Sequence, residues 1–222
     1  MRIGETLYFD YQGSTPLDPR VGKVMREAEI HLFANPHAAD HVLGWRAAAA
    51  ISEAARQIAH LLGMERDDVT FTSGASEANA MVFHAARRLA GKTGRTEILI
   101  GGGDHSSILN EAEASGLLVR TIPLDQEGAP DLSAVSHLIS ERTSIVSLIG
   151  VSNETGAITD LAAAAQICDP FGALVHADLS QALLTLDVDM FTSGLSFATV
   201  SSHKIYRPKG IGALPSTPQA AK

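Results

Sequence analysis

Val69-Thr-Phe-Thr-Ser-Gly-Ala-Ser-Glu77 reads as a strand, a tight turn and the opening of a helix. Four β-prone residues precede Ser73 and Gly74, and a helical pattern then runs to about Ala90. The unpaired backbone N–H groups and dipole of such a helix start suit an anion, above all a phosphate. Ordinary capping by Ser73 or Ser76 explains the same residues when they are taken alone. The turn lacks the Gly-Lys-Ser/Thr ending of a Walker loop. Gly101-Gly-Gly103 is not a dinucleotide fingerprint either, because Ser106 stands where the third glycine belongs.

Outward from this unit, strands and helices alternate. Strands are expected at Glu97–Ile100, Leu118–Thr121, Ser144–Ile149, Ala173–His176 and Phe197–Val200. Helices are expected at Ser106–Ala114, from the cap Asp131 to about Ile139, and at Leu161–Ile167. Such alternation predicts βαβ units and a mainly parallel sheet with helices on both faces. Before it, Tyr8-Phe-Asp-Tyr11 is short and β-prone, and Gly13-Ser-Thr-Pro16 is a turn. Pro19 opens a helix to about His31, and Asn35-Pro36-His37 breaks it. From Leu43 to Leu62 an amphipathic helix puts Leu43, Ala47, Ile51, Ala54, Ile58 and Leu61 on one face; Gly63 ends it. Gly210-Ile-Gly-Ala-Leu214 starts another strand, whereas Pro215 to Lys222 shows no periodicity. The expected organisation is an N-terminal segment over 1–40, a large domain over 41–214 and a disordered tail over 215–222. The abrupt ending reads as a chain cut short.

Composition narrows the class. The 222 residues are 45% hydrophobic and 19% charged, which supports a packed domain and excludes wholesale disorder. The net charge of −8 is a poor match for a phosphate backbone, so no nucleic-acid partner is expected. No apolar stretch approaches the roughly 20 residues of a membrane span. Met1-Arg-Ile-Gly-Glu5 lacks an apolar signal core, so a cytoplasmic location without a membrane partner is expected. The single cysteine, Cys168, excludes an internal disulfide and a Cys-based zinc site. It lies in a helical segment and reads as a structural thiol. His37 and His41 have i,i+4 spacing but no accompanying carboxylate set, so no metal is expected.

In open parallel sheets, ligands bind beyond the carboxyl ends of the strands. Five such junctions carry groups able to bind or react: Ser73-Gly-Ala-Ser-Glu77, Gly101-Gly-Gly-Asp-His105, Ser152-Asn-Glu154, Asp178 with Gln181, and Ser201-Ser-His-Lys204. One polar junction means little; five together favour a site. Asp178 ends an apolar strand and needs a cationic partner: a bound cation, a protonated ring nitrogen, or a Lys or Arg. Lys204 can form a Schiff base if its pKa is lowered. His105 can stack on a ring or move protons. A phosphate anchor, an acid, a hydrogen-bonding Gln and a strand-end Lys are what a pyridoxal phosphate enzyme needs.

In this order the motifs resemble the cysteine desulfurases of the class V aminotransferase family, of the iron–sulfur-cluster and nitrogen-fixation type. The resemblance runs from Tyr8 to about Leu214. It is carried by Tyr8-Phe-Asp-Tyr11, Thr15-Pro-Leu-Asp-Pro-Arg20, Asn35-Pro36, Phe71 to Glu77, Asp104-His105, Asn153-Glu-Thr-Gly156, Asp178 with Gln181, and Ser201 to Gly212 including Lys209. It implies the pyridoxal-phosphate-transferase fold with an aspartate aminotransferase-like large domain, lacking its C-terminal domain. It implies Lys204 as the Schiff-base lysine, Asp178 on the pyridinium nitrogen, Gln181 on the ring hydroxyl and His105 stacked on the ring and aiding proton transfer. Ala75, Ser76, Ser201 and His203 are then the phosphate ligands, and Asn153 lies near the ring and the substrate carboxylate. The implied reaction takes L-cysteine to L-alanine and passes sulfur to an acceptor or scaffold protein, in a homodimer when complete.

The family usually has Gly where Ser202 and Arg207 stand, Asp at Ser196 and Asn at Ser152. Its sulfur-accepting cysteine and carboxylate-binding arginine lie well beyond the Schiff-base lysine, so this chain alone is expected to be inactive. The other expectations from the resemblance are a different class V enzyme, such as a selenocysteine lyase or aminotransferase, and a non-catalytic remnant or scaffold.

Overall fold

A computed structural model describes residues 1–65 and 68–221. Arg2–Ile3 (β1) and Thr6–Leu7 (β2) form a small antiparallel ribbon ahead of helices Pro19–His31 (α1) and Val42–Leu61 (α2). The alternating part follows: Val69–Thr72 (β3), Ala75–Thr93 (α3), Glu97–Gly101 (β4), Ser106–Ala114 (α4), Leu118–Ile122 (β5) and Leu132–Leu138 (α5). It continues through Thr143–Ile149 (β6), Leu161–Cys168 (α6), Leu174–Asp178 (β7), Phe197–Ser201 (β8) and Gly212–Pro215 (β9). Asp18, Asp131 and Asp160 each accept a backbone N–H at the start of a helix, as N-caps do. His41 does the same for α2, its side chain accepting from Gly44 N at 3.1 Å. That role explains a histidine otherwise notable only for its spacing from His37.

Among the described residues, seven strands form one sheet in the order β3-β9-β8-β7-β6-β4-β5. Strands β4 to β8 are parallel, and β9 runs antiparallel to both β8 and β3. The reversal follows from a connection after β8 too short for a crossover helix. Because β3 opposes β9, it points the same way as the other five, and six carboxyl ends meet at one edge.

Side-chain alternation divides the core. Leu99, Val146 and Leu148 pack towards α5 and α6, while Ile98, Ile100 and Ile145 pack towards α3 and α4. Strands β4, β6 and β8 are buried along their whole length, as expected with helices on both faces.

Two expectations need correction. The tail is not disordered from Pro215 onward. Pro215 lies in β9, Ser216 N donates to Asp68 O (2.8 Å), Thr217 N donates to Ser196 O (2.9 Å), and a 3₁₀ turn spans Pro218–Ala221. Backbone pairing of this kind leaves no side-chain period to read. The amphipathic helix is present, but a line of small residues (Gly44, Ala47, Ala55 and Ala59) is what α2 buries. Of the apolar face read from the sequence, Ala47 is buried, whereas Leu43, Ile51, Ala54 and Leu61 are exposed. No helix among the described residues is long and apolar enough to cross a membrane.

Cys168, the last residue of α6, is fully buried in the core, and burial pushes its thiol up to about 12. We expect a thiol reagent to label it no faster than the chain unfolds. Stoichiometric labelling of the native protein contradicts this packing.

Candidate active site

A cavity of about 760 Å³ opens at the carboxyl edge of the sheet. All nine residues expected from the sequence line it: Ala75, Ser76, His105, Asn153, Asp178, Gln181, Ser201, His203 and Lys204. A second concavity of about 730 Å³ lies along α3 and α4, away from these strand ends.

The start of α3 forms one wall. Its N-cap, Gly74, has φ 155° and ψ −177°, a conformation open to glycine alone, and no side chain caps the first turn. Glu77 accepts from Ser73 N, which holds its carboxyl below the usual range. The start of β9 presses against this turn. A Cβ on Gly212 would lie 2.7 Å from Val200 O and 2.8 Å from the Gly74 backbone.

Asp178 and Lys204 face the cavity from neighbouring strand ends. Asp178 ends β7, is 4% exposed, and its Oδ1 accepts from Ser180 N (2.9 Å). Lys204 sits half-buried on the 3₁₀ turn after β8. Burial lowers its pKa, and the carboxylates of Asp178 and Asp10 oppose that shift. Burial also lowers His203, helped by the positive charges of Lys204 and Lys209. The Ser180 hydroxyl is the one buried side-chain polar atom without a partner among the described residues, and Ser180 lines the cavity.

Residues 10–18 form a strap over the site. Thr15 donates from both its backbone nitrogen and Oγ1 to His203 O, each at 2.8 Å. Tyr206 N donates to Thr15 Oγ1 (2.7 Å), and Asp18 N donates to Tyr206 O (3.0 Å). Gln181 Nε2 donates to Gln12 O (2.8 Å). These bonds hold Tyr206 at φ 61°, left-handed for a bulky residue. Asp10, Gln12, Ser14, Ser180 and Lys209 also line the cavity and were not among the expected site residues. Asp10 had a signal, an acid inside the β-prone Tyr8–Tyr11 stretch.

Asp104 lies beneath the cavity. Its carboxylate accepts from Ile149 N (2.8 Å) and Gly101 N (3.1 Å), tying the ends of β4 and β6 together. Burial pushes its pKa well up, against those two bonds, and the charge of Asp178 adds to the rise.

The positions that depart from the family pattern are accommodated. The buried Ser202 hydroxyl donates to Pro208 O, and Arg207 N donates to Ser202 O (3.2 Å), closing the loop around Lys204. Arg207 avoids the left-handed region. Ser196 Oγ accepts from Val175 N, and Ser152 Oγ from Glu154 N and Thr155 N.

The family model described as "Aminotransferase class-V" matches residues 7–222. The chain belongs to the class V aminotransferase family. Among curated relatives, Cysteine desulfurase IscS of Rickettsia bellii (strain OSU 85-389) is 36% identical over 211 residues. The match covers 94% of this chain and 51% of that protein. Its counterpart from Rickettsia felis (strain ATCC VR-1525 / URRWXCal2) is 34% identical with the same coverage. The chain thus spans about half the length of the curated relatives it matches. Among solved structures, one described as SspA in complex with cysteine has TM-score 0.87 at 31% identity, covering 95% of this chain and 61% of that one. The NifS-like protein from Rickettsia africae ESF-5 has TM-score 0.82 at 30% identity, covering 94% and 57%. The mostly parallel sheet with helices on both faces is therefore the family's pyridoxal-phosphate-transferase type of architecture.

Gly212→Ala is expected to destabilise this class V chain by about 1–3 kcal/mol, since neither backbone near the new methyl can yield cheaply. Urea unfolding measures it. An unchanged midpoint contradicts the close approach of β9 to α3.

Proposed function

We propose that the cavity binds pyridoxal phosphate, and that the activity it belongs to is cysteine desulfuration. In that reaction L-cysteine gives L-alanine, and sulfur passes to an acceptor protein for iron–sulfur cluster assembly. One observation carries the reading: a half-buried lysine, a buried carboxylate and a helix start without a side-chain cap converge on one cavity.

The residues present fit the cofactor. The first turn of α3, with Ala75 and Ser76, and the facing Ser201 and His203 suit a phosphate. Asp178 suits a protonated ring nitrogen, Gln181 a ring hydroxyl, and His105 the face of a ring. Asn153 lies where it can reach the ring and the substrate carboxylate. The unpaired Ser180 hydroxyl leaves one buried donor for a polar ligand. Lys204 is the attachment point, its amine made easier to deprotonate by burial. Bound pyridoxal phosphate supplies an electron sink for the substrate carbanion. The protein's share is to hold the phosphate, fix the ring and keep Lys204 between two carboxylates.

Two tests follow for the cofactor. Incubation with pyridoxal phosphate and borohydride reduction should leave it covalently attached to the 222-residue chain, but not to Lys204→Ala. Equal attachment in both contradicts the role of Lys204. Attachment should quicken with rising pH and level off below the ordinary lysine value of 10.5, because the neutral amine reacts and burial favours it.

The sulfur acceptor is a separate matter. Cys168 is the sole thiol of these residues, buried at the end of α6 and outside the cavity, so it does not receive sulfur. These 222 residues alone should therefore yield no L-alanine or sulfide from L-cysteine; turnover above the Lys204→Ala background contradicts this.

The working unit is proposed to be a pair of chains. Leu43, Trp45 and Ile51 of α2, with Val24 and Ile30 of α1 and Phe33 just after it, are exposed large apolar side chains in consecutive elements. A second copy is the occupant that family membership favours for these exposed side chains. Sedimentation should show a dimer that Trp45→Glu with Ile51→Glu dissociates; a wild-type monomer contradicts the pairing.

A further inference from the structure

A line of polar side chains crosses the apolar layer between the sheet and α3. His105 Nδ1 lies 3.1 Å from Ser107 N and 2.9 Å from Ser107 Oγ. Ser107 Oγ is 3.0 Å from Asn79 Nδ2, and Asn79 Oδ1 is 2.7 Å from Thr199 Oγ1. Thr199 Oγ1 is 3.0 Å from His176 Nε2, and His176 Nδ1 is 2.9 Å from Ser147 Oγ. Asn79, Thr199, His176 and Ser147 are each 0% exposed. The Phe83 ring meets His176 edge-on at 6.5 Å. So many polar groups in an apolar layer are tolerable only when each is paired, and here each is.

One backbone group sets the direction of the whole line. The Ser107 N–H can only donate, so His105 Nδ1 accepts and a neutral imidazole keeps its proton on Nε2. The Ser107 hydroxyl must then also donate to Nδ1. Its oxygen is left to accept from the Asn79 amide nitrogen, which turns the Asn79 carbonyl to Thr199. Thr199 donates to that carbonyl and therefore accepts from His176 Nε2–H. Burial holds His176 neutral, its pKa lowered to about 4, so its Nδ1 accepts from Ser147. The Asn79 amide interrupts any proton relay along the line, which leaves orientation as its function.

We propose that Ser147, His176, Thr199, Asn79 and Ser107 are positioning residues for His105: their one-way chain of donors holds its imidazole as the Nε2–H tautomer. His105 then meets the cavity with a donor nitrogen, able to give a hydrogen bond there rather than accept one. The proposal deepens the reading of His105 as a cofactor-facing group. The tautomer, however, is a property of the chain without any ligand, so its failure is separable from failure of cofactor attachment at Lys204.

The test is nitrogen NMR of the full chain labelled with ¹⁵N-histidine, with His105 assigned by loss of its signals in His105→Gln. The wild type should show a protonated Nε2 and a bare Nδ1. Thr199→Val removes the donor to Asn79 three hydrogen bonds away. The Asn79 amide is then free to turn over and draw the Ser107 hydroxyl away from His105. The Nδ1 resonance should then move as one of its two donors is lost, and Thr199→Ser should restore it. A protonated Nδ1 in the wild type overturns the proposal. So do unchanged His105 resonances in folded Thr199→Val. Should that variant not fold, Ser107→Ala at the partly exposed end of the line decides: a shifted Nδ1 supports the chain, and an unmoved one overturns it.

Discussion

The site depends on β9 fitting between β3 and β8. Strand β3 leads into the helix start that forms one wall of the cavity, and β8 leads to Lys204. They are not neighbours, and β9 is the strand that joins both. The fit requires Gly212, whose backbone touches Gly74 and Val200 too closely to admit a side chain. A glycine meeting a glycine thus brings the helix start after β3 and the lysine after β8 into the lining of one cavity. The parallel strands β7 and β8 add the carboxylate of Asp178 to the same edge.

Around this frame, the loop carrying Lys204 is held from two sides. Ser202 closes it from within through Pro208, and the strap of residues 10–18 closes it from outside. The strained backbone of Tyr206 persists because its N–H and C=O are both engaged by the strap. The electrostatics agree with that geometry. Burial disfavours the charge on Lys204, and the carboxylates of Asp178 and Asp10 oppose that effect.

Much of this was legible in the sequence because it is local. Strand ends, capping aspartates and the five polar junctions each declare themselves within a few residues, and the parallel rule gathers the junctions at one edge. What was hidden is non-local or silent in side-chain pattern. The reversed strand Gly212–Pro215 looks like any other short apolar run, since direction leaves no trace in composition. In α2 the apolar stripe was visible, but periodicity does not tell which way a stripe faces; Ala55 and Ala59 are buried, while Ile51 and Leu61 of the stripe are exposed. The strap joins Thr15 to His203, and the buried polar line joins Asn79 to Thr199 across 120 residues. No window along the chain contains either pair.

The strap has a consequence for how the protein comes into being. Thr15 and its partner His203 are separated by 188 residues, so the strap stays open until both have been synthesised. Strand β3 waits as well, because its sheet partner is β9. Until β9 and His203 have been made, a nascent chain therefore carries an unpaired strand edge and an open strap, the state in which sheet proteins are most prone to stick to one another. The cellular hazard of this architecture lies in the interval before strap and strand find their partners.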